Sequence, residues 1–351
     1  MELVMKSEKP AVRTLPDFSA LEFGKHISPD MFIAVYKDGE WNEGTVRPFS
    51  DLHLSPATLA LHYGQTVFEG MKAFKMTDGR ISVFRIQKHW ERFNISLDRM
   101  CMPPVPLKLF QRSIRDLVHT DRTWVPEFKE GSFYLRPFMF ASEERFGVKI
   151  ADEYMFIVFG GPVPSLYTNP LSVKVETHFS RATRGGTGYA KCGGNYGAAF
   201  YPTKKAREEG YDQVIWTDSQ DHGFIEESGT MNIMFVENGK LLTPALHDSI
   251  LDGVTRSSLI KLAGRLGMEV DERAIPVNEL KQGIREGRIT EVFGVGTAAV
   301  VAPIKRIGIE GEDFLLPEYS NDSVMYKLRT ALDAIRSGAE PDIFGWNMVI
   351  D

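Results

Sequence analysis

Cysteine is nearly absent from this chain, with Cys101 and Cys192 the two among 351 residues. That excludes a disulfide-stapled scaffold and a cysteine-rich zinc site, and no metal is expected. Long apolar runs are missing too, and no stretch approaches the roughly 20 residues that span a bilayer. The opening MELVMKSEKPAVRTLP has neither the apolar core of a signal peptide nor the arginine-rich amphipathic pattern of a transit peptide, so a reducing cytoplasm is the expected compartment. There is no extended basic stripe, and with a net charge of −6 nucleic acid and anionic membrane are poor partners, which leaves a small molecule as the expected one. What remains is an ordinary globular composition, 43% apolar and 25% charged, with length enough for two cores.

The first half mixes strand and helix signals. MFIAVYKDGEW reads as a strand entering a turn, and ISVFRI, SFYLRPFMFAS and YMFIVFGG read as strands. SPATLALHYGQTVFEG, QKHWERFNISLDRM and LKLFQRSIRDLVH carry helical spacing. Glycine and proline concentrate in GGPVPSLYTNP, Gly160 to Pro170, and mark a connection between domains. The second half offers a strand LSVKVE, a helix from near Asn195 to Gly210 with Pro202 inside it, a strand DQVIWTD, and a hairpin turning at Asn238-Gly239. TRSSLIKLAGRLG is an amphipathic helix stopped by Gly267, and VNELKQGIREG is another. EVFGVGTAAVVAPIKRI reads as two apolar runs hinged on Gly294 to Thr297, and NDSVMYKLRTALDAIRSG as a capped helix with Val324, Leu328, Leu332 and Ile335 inward. The expected fold class is mixed α/β (α+β): a smaller domain over residues 1–164, a linker over 165–178 and a larger domain over 179–351.

One stretch, RATRGGTGYAKCGGNYG from Arg181 to Gly197, sets Lys191 among six glycines. It is not a P-loop, because Ala190 precedes the lysine and Cys192 follows it, and a G-x-G-x-x-G register from Gly186 would put its third glycine at the lysine itself. A lysine held near a carbonyl becomes a nucleophile when desolvation or neighbouring cations lower its pKa. Flanking glycines let a flat ligand approach the backbone. A flat aldehyde such as pyridoxal 5′-phosphate answers both features, and it demands a carboxylate at its pyridine nitrogen, a donor at its phenolate oxygen, a phosphate cradle and a place for a substrate carboxylate. FIEESGTMN offers Glu226 and Glu227, read as a turn between strands. LDGVTRSS offers the amides of Val254 and Thr255 at a helix start, GVGTAAVV a turn of amides around Thr297 and Ala298, and Tyr196 a hydroxyl.

Taken in order, HYGQTVFEGMKAF, FYLRP, GGTGYAKCGGNYG, EESGTMN, LDGVTR and FGVGTAAVV resemble the branched-chain amino-acid aminotransferases, enzymes of fold type IV that use pyridoxal 5′-phosphate. The resemblance runs from about Phe23 to the end of the chain. It implies reversible transamination of leucine, isoleucine and valine with 2-oxoglutarate through a Schiff base on Lys191, in a two-domain fold with the active site between the domains. It further implies Tyr196 at the phenolate oxygen, Glu227 at the pyridine nitrogen, and Arg92, Val254, Thr255 and Thr297 on the phosphate. Thr230, Thr297 and Ala298 are similar to the residues that receive the substrate carboxylate. Tyr63, Phe68 and Tyr134 match the aromatic walls, and Arg136 the arginine that meets a γ-carboxylate. Homodimers are the family expectation. D-amino-acid aminotransferase, aminodeoxychorismate lyase, and a non-catalytic binding protein of the same fold are the alternatives. Ala299 and Ala302 stand where some animal members carry a C-x-x-C pair, so thiol regulation is not expected there.

Overall fold

The computed structural model describes residues 13–165 and 169–350. Its contacts divide the chain into two compact units, Met1–Ser165 with Arg336–Asp351, and Leu166–Ile335. Within the connection expected at 160–170, residues 166–168 lie outside the described residues. The flanking stretches are strands, Tyr154–Pro164 in the first unit and Leu171–Val175 in the second. Residues 336–351 belong with the first unit although their place in the sequence suggests the second. The reason is a backbone ladder: Asn347–Ile350 pairs antiparallel with Ile81–Phe84, a contact no local pattern announces.

The first unit is built on one antiparallel sheet in the order Asn347–Ile350, Ile81–Phe84, Met71–Lys75, Gly131–Ala141, Tyr154–Pro164, Asp30–Lys37, Glu40–Trp41. Alternation of side chains along the strands gives the sheet two buried faces. On one, Phe156 meets Phe93 of the helix Ile86–Arg99 and Phe110 of the helix Leu107–Thr120, with ring centroids 5.7 and 6.0 Å apart. Each of these fully buried rings contributes about 2–3 kcal/mol of hydrophobic stabilisation. On the other face Met31, Ile33, Phe140, Met155 and Ile157 cluster under Phe49, Leu52 and Leu54. The helical spacing of SPATLALHYGQTVFEG produces only the short helix Leu59–Tyr63, which ends at Gly64 with φ 67°. The next residues, Thr66–Phe68, are a strand because they pair with Phe138–Phe140, and sheet pairing overrides the local period.

The second unit carries a mixed sheet in which Leu171–Val175 runs parallel to both Gln213–Thr217 and Val300–Ile309. Its core is mainly aliphatic, with Val173, Ile215, Ile233, Ile304 and Ile307 among its buried residues. The expected hairpin joins Asn232–Glu237 to Lys240–Pro244 through Asn238 (φ 48°) and Gly239 (φ 79°), both left-handed as a type I′ turn requires. The two apolar runs turn later than their glycines suggest. Gly294 is still paired, opposite Ala302, and the turn itself is residues 297–299. In the final helix, Val324–Ser337, Met325 is fully buried and takes the inward place expected of Val324, which is half-buried. The start of this helix is held by the Glu291 carboxylate, which accepts from the amides of Val324 (2.7 Å) and Met325 (2.9 Å).

At the end of the helix Leu107–Thr120, the buried carboxyl of Asp121 faces Ser28 and Asp30. Burial raises its pKa to about 7, a nearby Asp30 charge adds to this, and the Ser28 hydroxyl opposes it. A carboxyl raised in the folded state binds its proton more tightly there than in the unfolded chain. Its stabilising contribution is therefore complete below the unfolded value of 3.8 and is lost as pH rises through about 7. Replacing Asp121 with Asn, which mimics the protonated form, is expected to flatten this fall. Urea midpoints of wild type and variant at about pH 5 and about pH 8 measure it, and a wild-type slope that survives in Asp121→Asn refutes the assignment.

Candidate active site

The glycine-rich loop of the second unit ends in the helix Gly194–Glu208, and Lys191 stands just before that helix. The Lys191 Nζ donates to the Tyr196 hydroxyl at 2.8 Å. Asn195 braces the loop from below: its amide donates to the carbonyls of Thr187 and Ala190, both at 2.8 Å, and its carbonyl accepts from the Thr187 hydroxyl at 2.7 Å. Asp248 holds the far side, accepting from the Gly185 amide through its side chain (2.7 Å) and from the Tyr189 amide through its carbonyl (3.0 Å). The glycines answer different needs. At Gly188 a Cβ would lie 2.5 Å from the Ser249 backbone, so this glycine permits chain-on-chain contact, whereas Gly194 and Gly197 face open space. Cys192 is buried, 3% exposed.

The two acidic residues do not lie in a turn, as the sequence reading has it. They sit inside the strand Phe224–Ser228, and both are buried. Strand neighbours normally point to opposite faces, but the ladder here slips. Glu227 pairs with Trp216 and Ile225 with Thr217, so Glu226 is left as the extra residue of a bulge. Both side chains can then reach the loop that leads to the helix Val254–Arg265. Glu226 accepts a short hydrogen bond from the Ser249 hydroxyl. Glu227 Oε1 accepts from the Leu251 amide (3.0 Å) and the Asn232 side chain (3.1 Å). Glu227 Oε2 faces the Arg181 Nε at 2.9 Å, an ion pair whose bent geometry falls short of a hydrogen bond. Burial pushes the Glu227 carboxyl above the usual carboxylate range; Arg181, the Leu251 amide and Lys191 pull the other way. Sequence reasoning missed Arg181 and Asn232. The only local signal was a lone Asn at the mouth of the apolar strand NIMFV.

Asn232 ties the carboxylate to the helix start. Its side chain donates to the Leu251 carbonyl (2.8 Å), and a Cβ on Gly253 would lie 1.9 Å from its Oδ1, so a side chain there would displace this amide. Gly253 is the N-cap of the helix, and Val254 and Thr255 are buried in its first turn. Asn232 also stands opposite Val295 in the sheet. The Gly229 to Met231 turn that carries Thr230 and the 297–299 turn that carries Thr297 and Ala298 therefore lie at the same end of adjacent strands. Met231 packs on Gly294 between them. Thr230 is exposed, and Thr297 and Ala298 are half-buried. Val300, which closes the second turn, has φ 62°, a strained value for a β-branched residue.

In the first unit the structure joins three of the residues singled out from sequence. The Arg136 guanidinium donates to the Tyr134 hydroxyl at 3.1 Å and lies 4.8 Å over the Phe68 ring. Gly70 makes room for the tyrosine, since a Cβ there would come within 2.0 Å of the hydroxyl. Tyr63 is 44% exposed, and its ring contact is with His62. Arg92 is buried, and its Nε and Nη2 grip the two oxygens of Glu69 at 2.7 and 2.9 Å. Nδ1 of His89 donates to the same carboxylate at 2.8 Å. Burial alone would raise the Glu69 pKa, but the Arg92 charge and the His89 and Arg92 hydrogen bonds hold it far below the usual range. Glu69 and His89 were also missed from sequence, although an acid inside the apolar TVFEGMKAF was a visible anomaly.

Known proteins resemble this chain in sequence and fold. A family model described as amino-transferase class IV matches residues 66–307. A Bacillus subtilis protein named branched-chain-amino-acid transaminase 1 is 38% identical over 99% of both chains. A branched-chain aminotransferase from Thermoproteus uzoniensis, solved with norvaline, superposes with a TM-score of 0.75 at 25% identity, covering 91% of this chain and all of that one. The branched-chain amino acid aminotransferase of Escherichia coli gives a TM-score of 0.73 at 26% identity, covering 92% of this chain and 98% of its own.

Removing the Glu69 charge takes away the carboxylate that grips the buried Arg92 guanidinium. Glu69→Gln is expected to cost about 3–5 kcal/mol in urea unfolding. Because the Glu69 pKa is depressed on folding, the wild-type contribution is present above the unfolded value of 4.5 and is lost as pH falls toward the folded value. Wild type and variant should therefore converge in acid, and a loss below about 1 kcal/mol at neutral pH contradicts this account.

Proposed function

This chain belongs to the amino-transferase class IV family, among its branched-chain-amino-acid members, and we propose that Lys191 is its reacting amine and Glu227 the acid that serves its cofactor, pyridoxal 5′-phosphate. The proposed reaction is reversible transamination of leucine, isoleucine and valine with 2-oxoglutarate, a reading in keeping with relatives named branched-chain-amino-acid transaminases. The observation that carries the reading is the Glu227 carboxylate. It is buried and hydrogen-bonded by two neutral donors, yet its proton affinity stays raised despite Arg181. Such a group favours one more cationic N–H donor, and a protonated pyridine ring provides one.

When bound, pyridoxal 5′-phosphate supplies the carbonyl that takes up the substrate amine and a ring that accepts the electron pair left by the α-proton. The chain supplies the rest. Lys191 Nζ removes the α-proton and returns it, and the Tyr196 hydroxyl, 2.8 Å away, orients that amine. Glu227 keeps the ring nitrogen protonated. The amides at Val254 and Thr255, the Thr297 turn and the Arg92 guanidinium are assigned to the phosphate dianion, which the positive end of a helix attracts. Thr230, Thr297 and Ala298 are assigned to the substrate carboxylate. Phe68, Tyr134 and Tyr63 supply apolar walls for branched side chains, and Arg136, resting on Phe68 and Tyr134, meets a γ-carboxylate. A homodimer is part of the proposal, supported by Phe146 (101% exposed) and Val148 (80%) on one loop. A cytoplasmic location is proposed as well; among the described residues no helix is long and apolar enough to cross a membrane.

The purified protein is expected to be yellow, to lose that absorbance on addition of leucine, and to carry the cofactor on the Lys191 peptide after borohydride reduction. Lys191→Ala should lower leucine turnover by at least about a thousandfold. Turnover that survives this substitution, or reduction that labels a different lysine, refutes the assignment.

A further inference from the structure

We propose that Arg181 is a positioning residue: it keeps Glu227 ionised and aimed, and through Glu227 it sets the protonation state of the cofactor's ring nitrogen. The inference rests on the functional reading above and deepens it. One guanidinium joins three pieces of chain. Its Nε faces Glu227 Oε2 at 2.9 Å, and its Nη2 donates to the carbonyls of Ser249 (2.5 Å) and Gly188 (3.3 Å). Those partners lie on the strand that carries Glu227, on the loop leading to the helix Val254–Arg265, and on the loop that carries Lys191. The Arg181 side chain is 10% exposed, so water screens the pair little.

The charges around Glu227 make Arg181 the decisive one. Lys191 is a second cation that acts on it, and Glu226, its neighbour on the strand, repels it. Asn232 and the Leu251 amide donate hydrogen bonds but carry no net charge. Lys191 Nζ changes its bonding and its charge during the proposed reaction, whereas a guanidinium stays protonated throughout. Arg181 is thus the constant positive charge that offsets the burial of Glu227. If Glu227 became neutral, the ring nitrogen would have no anion to hold its proton, and the ring would accept electrons poorly. Lysine in place of arginine keeps a charge but not the planar fork that reaches two carbonyls and a carboxylate together.

The test reads the nitrogen itself. Wild type, Arg181→Lys and Arg181→Gln are loaded with cofactor labelled with ¹⁵N in the ring, and the nitrogen is titrated by NMR. The expected order of proton retention is wild type, then Arg181→Lys, then Arg181→Gln, with the lysine variant releasing its proton about one pH unit below wild type. Cofactor should also dissociate from Arg181→Lys about tenfold faster, because the carbonyl contacts are lost. A merely structural arginine would alter loading and melting temperature but leave the titration in place, so coincident titrations overturn the proposal. If Arg181→Gln does not fold, wild type against Arg181→Lys decides: a lowered titration supports the proposal and an unchanged one overturns it. A wild-type protein that takes up no labelled cofactor overturns the functional reading as well, and that outcome is distinct from loaded proteins whose titrations agree.

Discussion

An acid buried away from water is the constraint on which the second unit turns. Glu227 is 4% exposed, and burying an acid without compensation neutralises it. Three different segments converge to oppose that: Arg181 from the glycine-rich loop, Asn232 from the next strand, and the Leu251 amide from the approach to a helix. Each of these also carries a candidate site residue close by in the chain. The electrostatic need of one side chain therefore brings Lys191, Val254 and Thr255 into a common neighbourhood, and the backbone devices follow from it. The bulge at Glu226 lets two adjacent acids face one loop, and Gly188 and Gly253 are small because other groups pack where their side chains would be.

The first unit solves a similar problem differently. Glu69 is fully buried, and Arg92 and His89 surround it so completely that its acidity rises rather than falls. The contrast between the two carboxylates has chemical meaning. A fully paired acid such as Glu69 fixes the rotamer of its arginine and has little affinity left for another cation. An acid such as Glu227, with raised proton affinity after all its protein contacts are made, is suited to a further donor. The first residue orients another residue, and the second is proposed to meet the cofactor.

Much of the fold was legible because it is local. The Asn238-Gly239 hairpin, the helices Ile86–Arg99, Leu107–Thr120 and Val254–Arg265, and the long apolar strands follow from period and turn chemistry within a few residues. The failures have a common cause. Residues 66–68 left a helical pattern for a strand because a distant partner was available, and the tail at 347–350 joined the first unit for the same reason. The Glu291 carboxylate at the start of the final helix is a sheet residue acting on a helix 33 positions away. Such choices depend on what lies across the sheet, and a local window does not contain that information.

By itself the sequence determined the types of group present: an amine set among glycines, two adjacent acids, a helix start after Asp-Gly, and an arginine beside aromatics, in an order that resembles one family. Tertiary structure alone decided how those groups are charged and aimed. It chose which of the adjacent acids faces Arg181 and which takes the Ser249 hydroxyl, and it recruited Asn232 and Glu69 as partners. The physical reason is that acidity and orientation depend on burial and on donors within about 3 Å, and those neighbours are assembled from residues far apart in the chain.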